Sequence, residues 1–106
     1  MLNIGDLRNI CKDINIAITK HAKNRLGERG ISINDVQKAI HTGEIIKQYE
    51  DDKPFPSCLI LGLTEQNKHI HVVASVDNPF LYIITAYFPD ENEWEPDLKI
   101  RKEQTK

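Results

Sequence analysis

From Gly43 onward the chain carries four runs rich in β-branched and aromatic residues: EIIKQYE (44–50), SCLILGL (57–63), HIHVVASV (69–76) and FLYIITAYF (80–88). The breaks between them, EDDKPFP, TEQNK and VDNP, are polar or proline-bearing and short enough to join antiparallel neighbours. A four-stranded antiparallel meander is the expected result. The second run is apolar throughout, as a strand covered on both faces reads, whereas the others leave polar residues on one side.

Upstream of Gly43 the apolar period is helical. Residues 3–13 place Ile4, Leu7, Ile10 and Cys11 at helical spacing behind Asn3, a good N-cap. The segment NIAIT (15–19) alternates and predicts a short strand leading into a helix over about 20–28, capped by Thr19 and stopped near Gly30. A third helix, SINDVQKAIHTG, starts at Ser32, carries Asp35 in its first turn and Val36 and Ile40 at helical spacing, and stops at Gly43. The expected fold class is therefore α+β: two to three N-terminal helices packed on a four-stranded antiparallel sheet.

Residues 1–106 fit one domain, with a partly irregular tail over 89–106. In that tail Trp94 is expected to pack back on the domain and the last six residues to fray. The formal charge of -2 argues against nucleic-acid binding driven by net charge, while leaving room for a local basic patch. The N-terminus has no long apolar run, so neither a signal peptide nor a membrane span is expected, and the cytoplasm is the expected location. Cys11 and Cys58 stand alone and read as buried free thiols.

The stretch TKHAKNRLGERGIS (19–32) concentrates the chemistry. His21, Arg25 and Arg29 follow at intervals of four and line one side of a continuous helix, while Ala22 and Leu26 give the adjacent side something to bury. His69 and His71 form an HxH on a strand, so both rings project opposite Ile70, Val72 and Ala74. No second spaced pair of ligands accompanies them, and neither a metal nor a cofactor is expected. Glycine-rich phosphate loops and nucleophile elbows are absent as well, which removes nucleotide hydrolases and esterases from consideration.

The ordered motifs HAKNRLGERGIS, DVQKAIHTGEII, DDKPFPSCLILG, HVV, IITAYFPD and EWEPD resemble the bacterial family filed as domain of unknown function 4258, over about residues 15–101. That family looks related to the RelE and ParE type toxin fold. Members of that wider group are small helix-plus-sheet proteins, many of them ribonucleases that cleave mRNA and are held inactive by an antitoxin. The resemblance implies RNA and an antitoxin protein as partners, and on matching positions it picks out His21, Arg25, Arg29, His71, Thr85 and Tyr87. Such toxins are commonly basic, whereas this chain is slightly acidic.

Cleaving RNA through its own 2′-hydroxyl needs proton transfer and cations facing the phosphate. His21 is read as the acid or base, Arg25 and Arg29 as a bidentate phosphate clamp, and Thr85 or Tyr87 as orienting groups or proton donors. The competing reading ties Arg25 and Arg29 to Glu28, Asp35 or tail acids and makes the chain a non-catalytic module that binds a partner protein. His71 is expected to share a polar face with His21. Whether Thr85 and Tyr87 join it depends on loop parity near 77–80: an odd loop places them beside His71, an even one opposite. Tyr49, Tyr82 and Phe88 read as core aromatics more than as nucleobase platforms.

Overall fold

The computed structural model describes residues 1–103. Helix α1 (Ile4–Ile10) begins where the Asn3 carboxamide accepts from the amides of Gly5 and Asp6. Helix α2 spans Lys20–Glu28 and α3 Ile33–Thr42. The start of α3 is a capping box: Ser32 Oγ accepts from the Asp35 amide, and the Asp35 carboxylate accepts from the Ser32 amide. The same carboxylate also accepts from the Glu65 amide, which ties the helix to a turn of the sheet. At the other end of α3, Arg8 of α1 donates to the carbonyls of Ile40 (3.1 Å) and Gly43 (2.7 Å), placing a cation on the negative end of the helix.

Strands β2 (Glu44–Tyr49), β3 (Ser57–Leu63), β4 (His69–Asp77) and β5 (Phe80–Tyr87) form the expected antiparallel meander. The sheet nevertheless has five strands and is mixed. A two-residue strand, β1 (Ile16–Ala17), follows a 3-10 turn at Asp13–Asn15 and pairs in parallel with β5, giving the order β1-β5-β4-β3-β2. The expectation of four antiparallel strands is corrected here. The short NIAIT run lacks a hairpin partner nearby, and what fixes its place is the open edge of β5, which needs hydrogen-bonding partners that local sequence does not reveal.

All three helices lie on one face. Leu7, Leu26, Val36, Ala39 and Ile40 form a single core with Cys58, Ile60, Ile70, Val72, Ala74, Leu81, Ile83 and Ala86. Contact between α3 and β3 is closest at Gly62, where an added Cβ would lie 2.1 Å from the Ala39 carbonyl oxygen. Cys11 and Cys58 are buried free thiols. No helix among the described residues is long and apolar enough to cross a membrane.

The second face is covered at its two ends by irregular chain. Segment 50–56 is tied down by Ser57 Oγ donating to Asp52 and Ser75 Oγ donating to the Pro56 carbonyl. At the opposite end residues 89–103 form a strap whose backbone bonds run within the strap itself: Glu95 N to Ile100 O, Lys102 N to Glu93 O and Leu98 N to Glu95 O. Trp94 bridges to Arg101 and is buried against the sheet, as expected. Arg101 and Lys102 are thus held in place rather than frayed, while residues 104–106 lie outside the described part of the chain.

Candidate active site

Helix α2 is shaped by its ends. Thr19 Oγ1 accepts from the Ala22 amide at the start. At the finish Gly30 adopts φ 71°, while the amides of Gly30 and Ile31 donate to the carbonyls of Gly27 and Leu26. This is a Schellman closure, and it needs the left-handed conformation that glycine supplies. Burial of Ala22 and Leu26 fixes the roll of the helix, so Lys20, His21, Lys23 and Arg25 face solvent. Residues 19–31 hold four of the 14 Lys and Arg residues and, in Glu28, one of the 16 acids, a local basic patch on an acidic chain.

Arg29, at the C-cap, reaches around the edge of β5. Its guanidinium donates to Thr85 Oγ1 (3.2 Å) and to the Ala86 carbonyl (2.8 Å), beyond the two residues that β1 covers. Neither Arg25 nor Arg29 is tied to an acid among the described residues, where the ion pairs are Lys99–Glu44 and Arg101–Glu93.

Thr85 and Tyr87 share the face of His71, although the β4–β5 loop is even. The hairpin pairs Asp77 with Phe80 across two residues, and that register holds through Ala74 and Ile83. It then shifts: Val73 pairs with Thr85 and His71 with Tyr87, leaving Ile84 as the extra residue of a β-bulge. Without the bulge Thr85 and Tyr87 would point into the helix-covered core; with it they stand beside His71 on the second face.

His71 has no exposed surface. Its Nε2 lies 2.7 Å from the Leu98 carbonyl and its Nδ1 3.3 Å from the Tyr87 hydroxyl. A carbonyl can only accept, so the proton sits on Nε2, and Nδ1 of the neutral ring accepts from Tyr87 O–H. The Trp94 indole packs edge-on at 4.4 Å, and the Tyr87 ring lies at 5.3 Å. Burial pushes the His71 pKa down, against the opposing effect of the Leu98 carbonyl, and burial pushes the Tyr87 phenol up. Both groups are held neutral.

Four of the six candidates therefore form a row of two hydrogen-bonded pairs at the β5 edge, Arg29–Thr85 and Tyr87–His71, with Thr85 and Tyr87 two residues apart on one face. Arg25 stands one helical turn behind Arg29. His21 does not join His71: it lies about 12 Å farther back along the α2 axis, at about 1.5 Å per residue, on the helix side of the sheet. The helix packs through Ala22 and Leu26, and that fixes which side His21 occupies. Tyr82 and Phe88, read from sequence as core aromatics, are exposed, and Tyr49 is half-buried.

A cleft of about 600 Å³ opens over Val73, the cross-strand partner of Thr85, with Tyr49, Glu50, Asp51 and Asp52 on its walls. Among the described residues no group of three His, Cys, Asp or Glu side chains is placed to hold a metal ion.

A family model described as Domain of unknown function (DUF4258) matches residues 18–88. The chain belongs to this family. No curated protein and no solved structure matches it. The DUF4258 match takes in all six candidate residues, whereas α1 and the strap, with Trp94 and Leu98, lie outside it. The role of the Leu98 carbonyl had no signal in the sequence, because a backbone group aimed by chain geometry leaves no residue-type trace.

Proposed function

We propose that this DUF4258 protein is a toxin-type endoribonuclease of RelE/ParE-like fold acting on single-stranded mRNA without a metal. The observation that carries this reading is the Tyr87–His71 hydrogen bond next to the Arg29–Thr85 pair, a proton-transfer couple beside a phosphate-binding pair. Arg29 and Arg25 hold the scissile phosphate, and Thr85 orients it. Tyr87 takes the proton of the 2′-hydroxyl as its own passes to His71 Nδ1; the 2′-oxygen bonds to phosphorus while the P–O5′ bond breaks. The 5′-oxygen leaves with a proton from solvent, His71 returns its proton through Tyr87 to solvent, and the products are a 2′,3′-cyclic phosphate and a 5′-hydroxyl. His21, read from sequence as the acid or base, belongs instead to the basic track that holds the RNA backbone upstream.

The test is cleavage of single-stranded RNA by wild type and by the Tyr87→Phe, Arg29→Ala and His21→Ala proteins, each checked for folding by circular dichroism. Tyr87→Phe is expected to lose about 10²-fold or more, the scale of general acid–base catalysis, and His21→Ala only binding strength. Intact RNA after incubation with folded wild type across pH and salt, or undiminished cleavage by Tyr87→Phe, removes the reading. A second reading draws on the exposed Phe55, Phe80, Tyr82 and Ile84. These residues suit the docking of a partner protein, either as the whole role of the chain or as the place where an antitoxin sits.

A further inference from the structure

We infer that the strap, which lies outside the family match, completes the candidate site: Leu98 and Trp94 are positioning residues that set the tautomer and the surroundings of His71. The inference rests on the ribonuclease reading for its catalytic meaning and on geometry for its structural one. Apart from Tyr87, the polar contact of the His71 ring is the Leu98 carbonyl at 2.7 Å. A base needs a third group to orient it, and this carbonyl plays that part by keeping the proton on Nε2 and Nδ1 turned toward Tyr87. As His71 takes up a proton, the same carbonyl accepts from the resulting imidazolium.

The aim of that carbonyl depends on an unusual backbone. Leu98 has φ 60°, a left-handed conformation that a leucine adopts against its preference. It is held there by the strap's own ladder, Leu98 N to Glu95 O and Glu95 N to Ile100 O, and by Asp97 Oδ1 accepting from the Lys99 amide. Trp94 packs edge-on against the His71 ring, which has no exposed surface. Within the strap Arg101 packs at 5.5 Å from the Trp94 ring and pairs with Glu93, while Lys99 pairs with Glu44 of β2 and ties the strap to the sheet away from the row itself.

Leu98→Pro and Leu98→Gly separate the carbonyl from the side chain. Proline fixes φ near -65° and swings the carbonyl away, whereas glycine keeps the left-handed conformation. In the full-length protein, ¹⁵N NMR of the histidine ring reads the His71 tautomer without reference to activity. Wild type and Leu98→Gly are expected to show the Nε2–H form, and Leu98→Pro a mixture of both. Cleavage by Leu98→Pro is expected to fall about ten-fold, with the acid limb of its pH–rate profile moved further down, because the lost carbonyl favours the imidazolium. Should Leu98→Pro fail to fold, Trp94→Ala serves: relieving the burial moves the acid limb up toward the ordinary histidine range, with Trp94→Phe restoring the wild-type profile. An unchanged tautomer in Leu98→Pro overturns the inference, as does a changed tautomer with an unmoved pH profile. If no protein cleaves RNA, the ribonuclease reading fails on that result, and the NMR spectra still decide whether Leu98 sets the ring.

Discussion

Replacing His71 by leucine removes an imidazole with no exposed surface and strands two groups, the Tyr87 hydroxyl and the Leu98 carbonyl. A buried polar group left without a partner costs about 1–3 kcal/mol. Both groups sit at the strap boundary, where water regains part of the loss, so the expected destabilisation is about 2–4 kcal/mol at pH 8. Tyr87→Phe removes one hydroxyl and leaves the 2.7 Å bond to Leu98 intact, for an expected loss of about 1 kcal/mol. Urea unfolding followed by Trp94 fluorescence measures both. With a urea dependence of about 2 kcal/mol/M, the His71→Leu midpoint moves down by about 1–2 M.

The pH dependence is the sharper part. Burial holds the folded-state pKa of His71 below its ordinary value of 6.5, so the unfolded chain binds more protons than the folded one once the pH drops past that value. Wild-type stability is then full above about pH 6.5 and is lost as pH falls, by up to about 1.4 kcal/mol per pH unit until the folded pKa is reached. His71→Leu has no such group, and the gap between the two proteins narrows on acidification. A gap that stays constant from pH 8 to pH 5, or a His71→Leu protein no less stable than Tyr87→Phe at pH 8, would refute the account of a buried neutral imidazole bonded at both nitrogens.

Three further outcomes follow from the packing. Gly62→Ala forces a methyl group against the Ala39 backbone, with the nearest atom 2.1 Å away, and should cost about 3 kcal/mol or more; a thermal midpoint lowered by less than about 5 °C would contradict that contact. Arg8→Ala should cost about 1–2 kcal/mol by baring the Ile40 and Gly43 carbonyls at the end of α3, with Arg8→Lys recovering part of it in urea titrations. Burial, assisted at Cys11 by Asp13, pushes both thiols up to about 11, so a disulfide reagent near neutral pH should label Cys11 and Cys58 only after denaturant is added.

Most of the helix ends were legible because capping chemistry is local: Asn3, Thr19, Ser32 with Asp35, and Gly30 each do in three dimensions what their residue types imply. The four β-rich runs were legible for the same reason, through composition and turn residues. What escaped depends on contacts far apart in sequence. The pairing of β1 with β5 joins residues 16–17 to 81–82. Partition of the site residues was likewise hidden. Four-residue spacing grouped His21 with Arg25 and Arg29, yet the helix edge that carries Arg29 to Thr85 leaves His21 on the far side of the sheet. The HxH pattern gave the correct face for His71 but not its burial, which comes from a tail whose Trp94 was expected to pack somewhere on the domain.

The bulge at Ile84 carries a consequence for comparing relatives. How β5 absorbs one extra residue, as a bulge or in regular register, decides whether IITAYF offers a threonine and a tyrosine to the second face or an alanine and a phenylalanine. A relative with the same letters and the same spacing but an unbroken ladder would present the opposite pair, however high its identity, whereas one with a single residue fewer and no bulge would present the same pair. Residue count and bulge therefore have to be read together beside position 84, and relatives in which the two agree are the ones in which to look for the same chemistry.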